Sequence, residues 1–277
     1  MRCTMTDFPE GAPCWADAMF KDVEGAKSFY GEVLGWTFGE SSSEYGNYTQ
    51  AYSDGKAVAA VVPPMPGGDD TPSAWCLYFA SRDVSRTAEK IKAAGGTLIM
   101  EPMQVGPFGS MTLAKEPSGA VFGVWQAAEH TGFEKTAGPG SYCWAEVFTR
   151  EPGKADAFLG AVFPYAAQKM ESGDDPGAQG MDYKVFSLGG RDNPVLGRMK
   201  MGDEFPAEVP SCIQIYFGVE NCDDAVAKAR QLGGRLHFGP TDSPFGRFAA
   251  LADPQGASFA VIDMSTTVGA MPQVTDA

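Results

Sequence analysis

The stretch PCWADAMFKDVEGAKSFYGEVLGW, at residues 13–36, returns in related form as SYCWAEVFTREPGKADAFLGAVF at residues 141–163. Both copies begin with alternating apolar and polar residues, which predict a β-strand, and continue with apolar residues at helical spacing. A cysteine and a tryptophan open each strand, and an acidic residue, Asp17 or Glu146, follows two positions after the tryptophan. The chain therefore contains a repeated strand–helix unit with an acid at a fixed place.

The repeat covers nearly the whole chain. AAGGTLIMEP at residues 93–102 matches QLGGRLHFGP at residues 231–240, at an offset of 138 residues. Within each half, the pattern of a strand, a helix and three strands occurs twice. The sequence predicts an α+β protein of four β-α-β-β-β modules, joined in pairs into two similar domains at residues 10–128 and 138–265.

Composition and charge exclude several classes of protein. The 277 residues include 21 basic and 35 acidic side chains, which gives a net charge of −14, and there is no basic run. This balance argues against nucleic acid or an anionic membrane surface as a partner. No apolar run is long enough to span a bilayer, and the six cysteines form no C-x-x-C pair. A reducing cytoplasm is the expected compartment.

Local patterns in the modules resemble those of one superfamily. The pattern D-x-x-x-A-x-x-F-Y-x-x-x-L-G-W begins at Asp22, and the closing pattern D-P-x-G-x-x-F begins at Asp253. The chain is similar in these patterns to the vicinal oxygen chelate superfamily, which includes glyoxalase I, extradiol dioxygenases and bleomycin resistance proteins. It resembles most a tandem actinobacterial branch whose members are labelled glyoxalases or hydroxylases. The resemblance implies two curved, mostly antiparallel eight-stranded sheets, each around a cavity.

Enzymes of this superfamily usually hold a divalent metal with His, Glu or Gln at one position in the first and one in the last strand of each module. Matching those positions onto this chain gives Trp15, Ala59, Cys76, Gly123, Trp144, Leu196, Gln214 and Ala260. Only Gln214 is a customary ligand type. His130 and His237 fall in the interdomain linker and beside a Gly-Gly turn, where surface or packing roles are expected. We therefore expect no metal site and no cofactor.

Side chains two positions apart on a strand share a face, so the residues behind each tryptophan are expected in the cavity. Asp17 and Glu146 are the candidate catalytic acids, because a carboxyl group beside an indole can have its pKa raised by desolvation. The Pro-Phe-Gly corners at 107–109 and 244–246 are candidates for the cavity rim. The predicted ligand-contacting residues are Trp15, Met19, Tyr78, Phe108, Trp144, Phe148, Gln214, Tyr216 and Phe245.

Each of these assignments has a structural alternative. The tryptophans could fill a disused site, the acids could cap backbone or pair with arginine, and the corners could be ordinary turns with a buried phenylalanine. The loop at 168–182 could be a lid or a disordered insertion, and the tail beyond residue 266 is expected to fray.

Three functional hypotheses follow from the resemblance and the candidate residues. The first is a metal-independent protein that binds a hydrophobic aromatic or polyketide-like metabolite, as a lyase, isomerase or accessory hydroxylase in natural-product metabolism. The second is a non-catalytic protein that sequesters a drug. The third is a metal-dependent glyoxalase or dioxygenase. The expected partner is a small molecule, and the protein is expected to be a monomer or a homodimer.

Overall fold

A computed structural model describes residues 8–64, 71–171 and 181–276. The elements of the first half are β1 (Pro13–Met19), α1 (Val23–Leu34), β2 (Thr37–Phe38), a 3-10 turn (Ser43–Tyr45), β3 (Thr49–Ser53), β4 (Lys56–Val62), β5 (Trp75–Ala80), α2 (Val84–Ala93), β6 (Thr97–Val105), β7 (Gly109–Lys115) and β8 (Val121–Ala127). Those of the second half are β9 (Tyr142–Thr149), α3 (Pro152–Val162), β10 (Tyr165–Met170), β11 (Tyr183–Leu188), β12 (Pro194–Lys200), β13 (Cys212–Gly218), α4 (Cys222–Gln231), β14 (Arg235–Thr241), β15 (Arg247–Ala252), β16 (Ser258–Asp263) and β17 (Val274–Asp276).

Among the helices of the described residues, α1, α2 and α4 begin at a side chain that accepts from a free backbone N–H group, whereas Glu151 before α3 makes no such bond. Asp22 accepts from the N–H of Gly25 at 2.8 Å and starts α1, and Asp83 accepts from the N–H of Arg86 at 3.0 Å and starts α2. Gly35 ends α1 with φ at 71°, a left-handed conformation that glycine adopts without steric cost. These local signals place each helix directly after the first strand of its module.

The first half forms an eight-stranded sheet with the order β2-β3-β4-β1-β5-β8-β7-β6. Its two modules meet where β1 and β5 run antiparallel, with Trp15 opposite Tyr78 and Asp17 opposite Cys76. The second half repeats this arrangement as β14-β15-β16-β13-β9-β12-β11-β10-β17, with β9 and β13 at its centre. The predicted α+β fold with paired modules is confirmed.

The C-terminal tail corrects one expectation. Residues 274–276 do not fray but form β17, which pairs antiparallel with β10 and makes the second sheet nine-stranded. Thr275 Oγ1 also donates a hydrogen bond to Glu171 Oε1 at 2.9 Å. The sequence could not indicate this strand, because its pairing partner lies about a hundred residues away and the strand has only three residues. Most of the loop for which a lid was considered, residues 172–180, lies outside the described residues.

The two halves share one hydrophobic core. Alternate residues of the central strands face the helices and the other half, and there the Trp36 ring lies 5.2 Å from that of Phe217. The rings of Phe29 and Phe259 lie 6.1 Å apart, and α1 packs against α4 as α2 packs against α3. The opposite face, called the cavity face below, carries Trp15, Asp17 and Tyr78 in the first sheet and Trp144, Glu146 and Tyr216 in the second. The domain boundaries at 10–128 and 138–265 stay a prediction.

Among the described residues, no helix has the length and apolar character needed to cross a membrane.

Candidate functional site

On the cavity face of the first sheet, a tryptophan, two tyrosines and an acid form one hydrogen-bonded cluster. The Trp15 Nε1–H donates to the Tyr48 hydroxyl at 2.6 Å, and that hydroxyl donates to Asp17 Oδ2 at 3.4 Å. The Tyr78 hydroxyl lies close enough to Asp17 to lower the pKa of that acid. Trp15, Asp17 and Tyr78, which the sequence predicted together, are therefore neighbours.

The second sheet carries the same cluster with a longer acid. The Trp144 Nε1–H donates to the Tyr183 hydroxyl at 3.1 Å. Tyr183 donates to Glu146 Oε1 at 2.6 Å, and Tyr216 donates to Glu146 Oε2 at 2.7 Å. Each carboxylate oxygen of Glu146 thus has its own phenol donor, which fixes the plane of the carboxyl group. Within the described residues neither acid pairs with a basic side chain.

Burial shifts the acids toward their protonated forms. Desolvation raises the pKa of Asp17 to about 7, although the hydrogen bonds from Tyr78 and Tyr48 act in the opposite direction. Desolvation likewise raises the pKa of Glu146 against the hydrogen bonds from Tyr183 and Tyr216. An acid whose pKa lies near neutral pH can both give and take a proton there. By this criterion Asp17 can exchange a proton near neutral pH.

Tyr48 and Tyr183 were missed from the sequence. Tyr48 lies directly before β3 and Tyr183 begins β11, and each of these strands pairs with the last strand of its module. The loops before the two tyrosines differ in length between the halves, which hides the match. The available signal was that a tyrosine stands at the start of this segment in both copies. Only the hydrogen bonds to Asp17 and Glu146 identify these tyrosines as members of the clusters.

Two glycines make room for the tyrosines. A Cβ added to Gly123 would collide with the ring of Tyr78, and one added to Gly197 would collide with the hydroxyl of Tyr183 and approach Glu146. Any side chain at these positions would push a tyrosine away from its acid. The space that a last-strand side chain would fill is occupied by a phenol instead.

The strand register corrects two of the matched metal positions by one residue. Ala60 lies beside Asp17, and Gly197 lies beside Glu146, so these residues share the cavity face. Ala59 and Leu196 were predicted there but point to the opposite face, where both belong to the core that the helices cover. A shift of one residue moves a side chain to the other face of a sheet.

The side chains in these places do not fit a divalent cation. The cavity-facing set in the first sheet is Trp15, Ala60, Cys76 and Gly123, and in the second it is Trp144, Gly197, Gln214 and Ala260. Burial raises the pKa of the Cys76 thiol well above its usual value, so the thiolate that would bind a metal is disfavoured. No three or more His, Cys, Asp or Glu side chains in the described ranges are grouped as metal ligands.

The first cluster is covered by the segment that links the halves. The His130 ring packs edge-on against Trp15, with ring centroids 4.4 Å apart. The Trp125 Nε1–H donates a hydrogen bond to the His130 carbonyl at 2.8 Å. Phe133 lies 5.5 Å from Trp15 and stacks on Tyr142. Trp15 is consequently only 3% exposed. His130, expected in a surface or packing role, packs into the first cavity, where desolvation lowers its pKa to about 4.

The second cluster is more accessible. Trp144 is half-buried and lies between two apolar groups on the cavity face. One group contains Met170, Met181 and Met199, and the other contains Tyr216, Ile262 and Phe248. Among the described residues no aromatic ring pairs with that of Trp144, whereas His130 and Phe133 both pack against Trp15. A ligand can reach the indole of the second site more easily than that of the first.

The remaining predicted contacts vary in position. Gln214 is buried opposite Glu146 on the neighbouring strand, and Phe148 is half-buried with its ring 5.6 Å from that of Phe205. Met19 is half-buried at the end of β1, beyond Asp17 on the same face.

The two Pro-Phe-Gly corners differ from each other. Phe108 is partly buried and its ring packs 5.1 Å from that of Tyr45, while Phe245 is 47% exposed. Neither ring contacts an acid cluster among the ring pairs of the described residues. Their predicted place at a cavity rim stays a prediction.

A surface cleft of about 360 Å³ lies elsewhere, between α2 and the end of α3. Arg82, Arg86, Lys90, Glu10 and Asp83 are among the residues that line it. Neither Asp17 nor Glu146 lines it, and the two arginines are exposed to solvent. The cleft is separate from both clusters.

Comparison with known proteins agrees with this fold. The family model of the Glyoxalase/Bleomycin resistance protein/Dioxygenase superfamily matches residues 15–124. The anthracycline biosynthesis protein DauV of Streptomyces sp. (strain C5) is 37% identical over 273 residues, which cover 94% of this chain and 96% of that protein. The protein CFP32 of Mycobacterium tuberculosis, which carries a glyoxylase name, is 35% identical over 261 residues, covering 93% of this chain and 96% of its own.

Solved structures share the architecture at low sequence identity. The Mn(II)-bound glyoxalase from Novosphingobium aromaticivorans has a TM-score of 0.59 at 17% identity, covering 94% of this chain and 86% of that one. The 2,2',3-trihydroxybiphenyl 1,2-dioxygenase from Sphingomonas wittichii strain RW1 has a TM-score of 0.63 at 10% identity, covering 96% and 92%. At these identities the likeness concerns the fold alone.

Proposed function

Because this chain belongs to the glyoxalase, bleomycin resistance protein and dioxygenase superfamily, we propose that it binds a hydrophobic aromatic small molecule and transfers a proton to or from it without a metal ion. The observation that carries the proposal is the repeated cluster of one tryptophan, two tyrosines and one acid on the cavity face of each sheet. The ligand binds at the second sheet, where Trp144 is half-buried, because His130 covers Trp15 on the first sheet.

The chemistry of the second cluster follows from its hydrogen bonds. Tyr183 and Tyr216 hold the carboxyl group of Glu146 in one orientation, so its remaining lone pair or proton is directed at one place. In its ionised form Glu146 accepts a proton from a phenol or an enol, and in its protonated form it returns one. Desolvation raises the pKa of Glu146, which favours its protonated form more than in an exposed glutamate. The half-buried Trp144 orients an aromatic ring by stacking.

The relatives support a particular class of ligand. DauV and DnrV are named anthracycline biosynthesis proteins, and both are 37% identical to this chain. Anthracyclines are aromatic polyketides with phenolic hydroxyls, which combine the apolar rings and the exchangeable protons that the cluster can serve. We therefore place this protein in natural-product metabolism, as a lyase, an isomerase or an accessory protein of a hydroxylation step.

A calorimetric titration with hydroxyanthraquinone tests the proposal. We expect one molecule to bind per chain, and we expect Glu146→Gln to weaken binding by about tenfold, because a charge-assisted hydrogen bond is lost. The matched control is Asp17→Asn, at the equivalent position of the first half, and it is expected to bind hydroxyanthraquinone as the parent protein does. Equal effects of both variants, or no binding by the parent, would contradict the proposal. Stoichiometric zinc, iron, nickel or manganese in purified protein would contradict its metal-independent part.

Drug sequestration is the second candidate, and the net charge of −14 favours it for a cationic ligand. Mass spectrometry and deuterium exchange of the bound ligand separate the two functions. Glu146-dependent exchange of a carbon-bound hydrogen supports proton transfer. Binding that persists with an unchanged ligand and no such exchange identifies a sequestering protein.

A further inference from the structure

A row of three aromatic rings leads from the Glu146 cluster across the second sheet to its edge. The ring of Tyr216, which bonds Glu146, lies 6.1 Å from that of Phe248, and the ring of Phe248 lies 5.8 Å from that of Phe238. Tyr216 belongs to β13, Phe248 to β15 and Phe238 to the edge strand β14. We call Tyr216, Phe248 and Phe238 the aromatic row.

The aromatic row runs from a buried to an exposed position. Tyr216 is 9% exposed, Phe248 is half-buried and Phe238 is 56% exposed. Strand register places Phe238 beside Ala250 and Ala250 beside Ala260, so small side chains lie between the outer and the inner ring. A bound ring that covers Phe238 would remove its exposed apolar surface from water, and burial of apolar surface is favourable.

The first sheet has no such row. At the positions that the repeat matches to Phe248 and Phe238, it carries Met111 and Met100, and Leu113 stands in place of Ala250. The row therefore distinguishes the accessible site from the site that His130 covers. The equivalent methionine supplies a control position within the same chain.

We infer that the second site takes an elongated planar phenol of three or more fused rings, with its hydroxyl at Glu146 and its far rings against Phe248 and Phe238. A single phenol ring at Glu146 ends before it can reach Phe238, since two ring-to-ring steps separate the two places. A fused polycycle spans both steps and covers the exposed ring. The rings of the row are tilted by 55° and 36°, so they offer both edges and faces to the ligand. This inference rests on the proposed function and names its substrate class.

The test compares ligands of increasing length against matched variants. Phenol, naphthol and hydroxyanthraquinone are titrated into the parent protein and into Phe238→Ala, Phe238→Tyr and Met100→Ala. We expect Phe238→Ala to weaken hydroxyanthraquinone binding by about tenfold, which corresponds to the loss of one aromatic contact. The same variant leaves phenol binding unchanged, Phe238→Tyr restores the parent affinity for hydroxyanthraquinone, and Met100→Ala has no effect.

Other results overturn the inference in distinguishable ways. If Phe238→Ala weakens the binding of phenol and hydroxyanthraquinone equally, or weakens neither, the aromatic row does not select ligands by length. The proposed function still stands in that case, as long as Glu146→Gln reduces binding. If the parent protein binds none of the three phenols, the inference and the proposed function fail together. Because Phe238 is exposed, its substitution is not expected to affect folding, and a thermal melt of each variant checks this.

Discussion

Desolvation and two phenol hydroxyls act in opposite directions on the pKa of the acid in each cluster. Without the hydroxyls the pKa of the carboxyl group would be higher, and an arginine in their place would favour the ionised form more strongly. The phenols lower the pKa of Asp17 only part of the way, to about 7. Glu146 has the same surroundings and the same direction of shift. Each cluster thus sets the desolvation of its acid against hydrogen bonds from tyrosines.

The raised pKa of Asp17 predicts how stability changes with pH. Because its folded-state pKa of about 7 exceeds its ordinary value of 3.8, the folded protein binds the proton more tightly than the unfolded chain. The stabilisation is complete below the ordinary pKa and is lost as pH rises toward and through the folded pKa. We expect the thermal midpoint of the parent to fall by a few degrees relative to Asp17→Asn over this range. Scanning calorimetry from about pH 4 to about pH 8 measures it.

An exposed acid of the same half provides the control for this prediction. Asp54 is 84% exposed at its side chain, so Asp54→Asn changes the same charge without desolvation and is expected to keep the pH profile of the parent. Parallel profiles of Asp17→Asn and the parent would show that Asp17 titrates normally in the folded protein.

The elements are held in register by a buried ion pair as well as by apolar packing. Arg198 of β12 is 1% exposed at its side chain, and its Nε and Nη2 donate to the two carboxylate oxygens of Asp156 on α3 at 2.9 and 3.0 Å. A second acid, Asp182, accepts from Nη1 at 2.7 Å. Arg198 shares with Leu196 the face that α3 covers, opposite to the face of Gly197. The pair therefore fixes which face of β12 is turned toward Glu146.

Removing one partner of this pair is expected to be costly. Asp156→Ala leaves a buried guanidinium without its main partner, and we expect the free energy of unfolding to fall by about 3 kcal/mol. Urea denaturation measures the change. On the same helix, Lys154→Ala removes an exposed pair with Glu151 and is expected to cost less than about 1 kcal/mol. A cost for Asp156→Ala no larger than that of Lys154→Ala would contradict this account of the pair.

The halves of the molecule depend on each other through their helix-covered faces. The Trp36 Nε1–H donates to the carbonyl of Gly140 at 2.7 Å, and the Tyr30 hydroxyl donates to Asp253 Oδ2 at 2.9 Å. Both bonds connect a helix or its end in the first half to a segment beyond β8. Together with the packing of Phe29 on Phe259, they make one continuous core.

This shared core predicts that the halves do not fold stably apart. A chain ending at residue 137 exposes the apolar face that Phe217 and Phe259 cover in the whole protein. We expect it to bind a hydrophobic dye and to lack a cooperative melt, whereas the whole chain unfolds in a single calorimetric transition. Adding the separate second half is expected to restore a cooperative melt in a one-to-one complex. A first half that alone melts at the temperature of the whole chain would contradict the prediction.

The sequence alone determined the repeat, the module order, the α+β fold and the pairing of each tryptophan with an acid two residues on. These features depend on local periodicity, on capping residues such as Asp22 and Asp83, and on the repetition of one pattern in both halves. All three are properties of neighbouring residues in the sequence. The association of Trp15, Asp17 and Tyr78, and of Trp144, Glu146 and Tyr216, also followed from side chains that share a face.

Only the tertiary structure decided which side chains complete and cover the clusters. Tyr48, Tyr183 and His130 reach their acids and indoles from segments that are distant in sequence, and the placement of Gly197 instead of Leu196 depends on the register between β9 and β12. Register is set by contacts between strands rather than within them, so a slip of one residue leaves the local pattern nearly unchanged while it reverses every face. The packing of His130 and Phe133 against Trp15, which covers the first cluster, likewise joins segments that are distant in sequence.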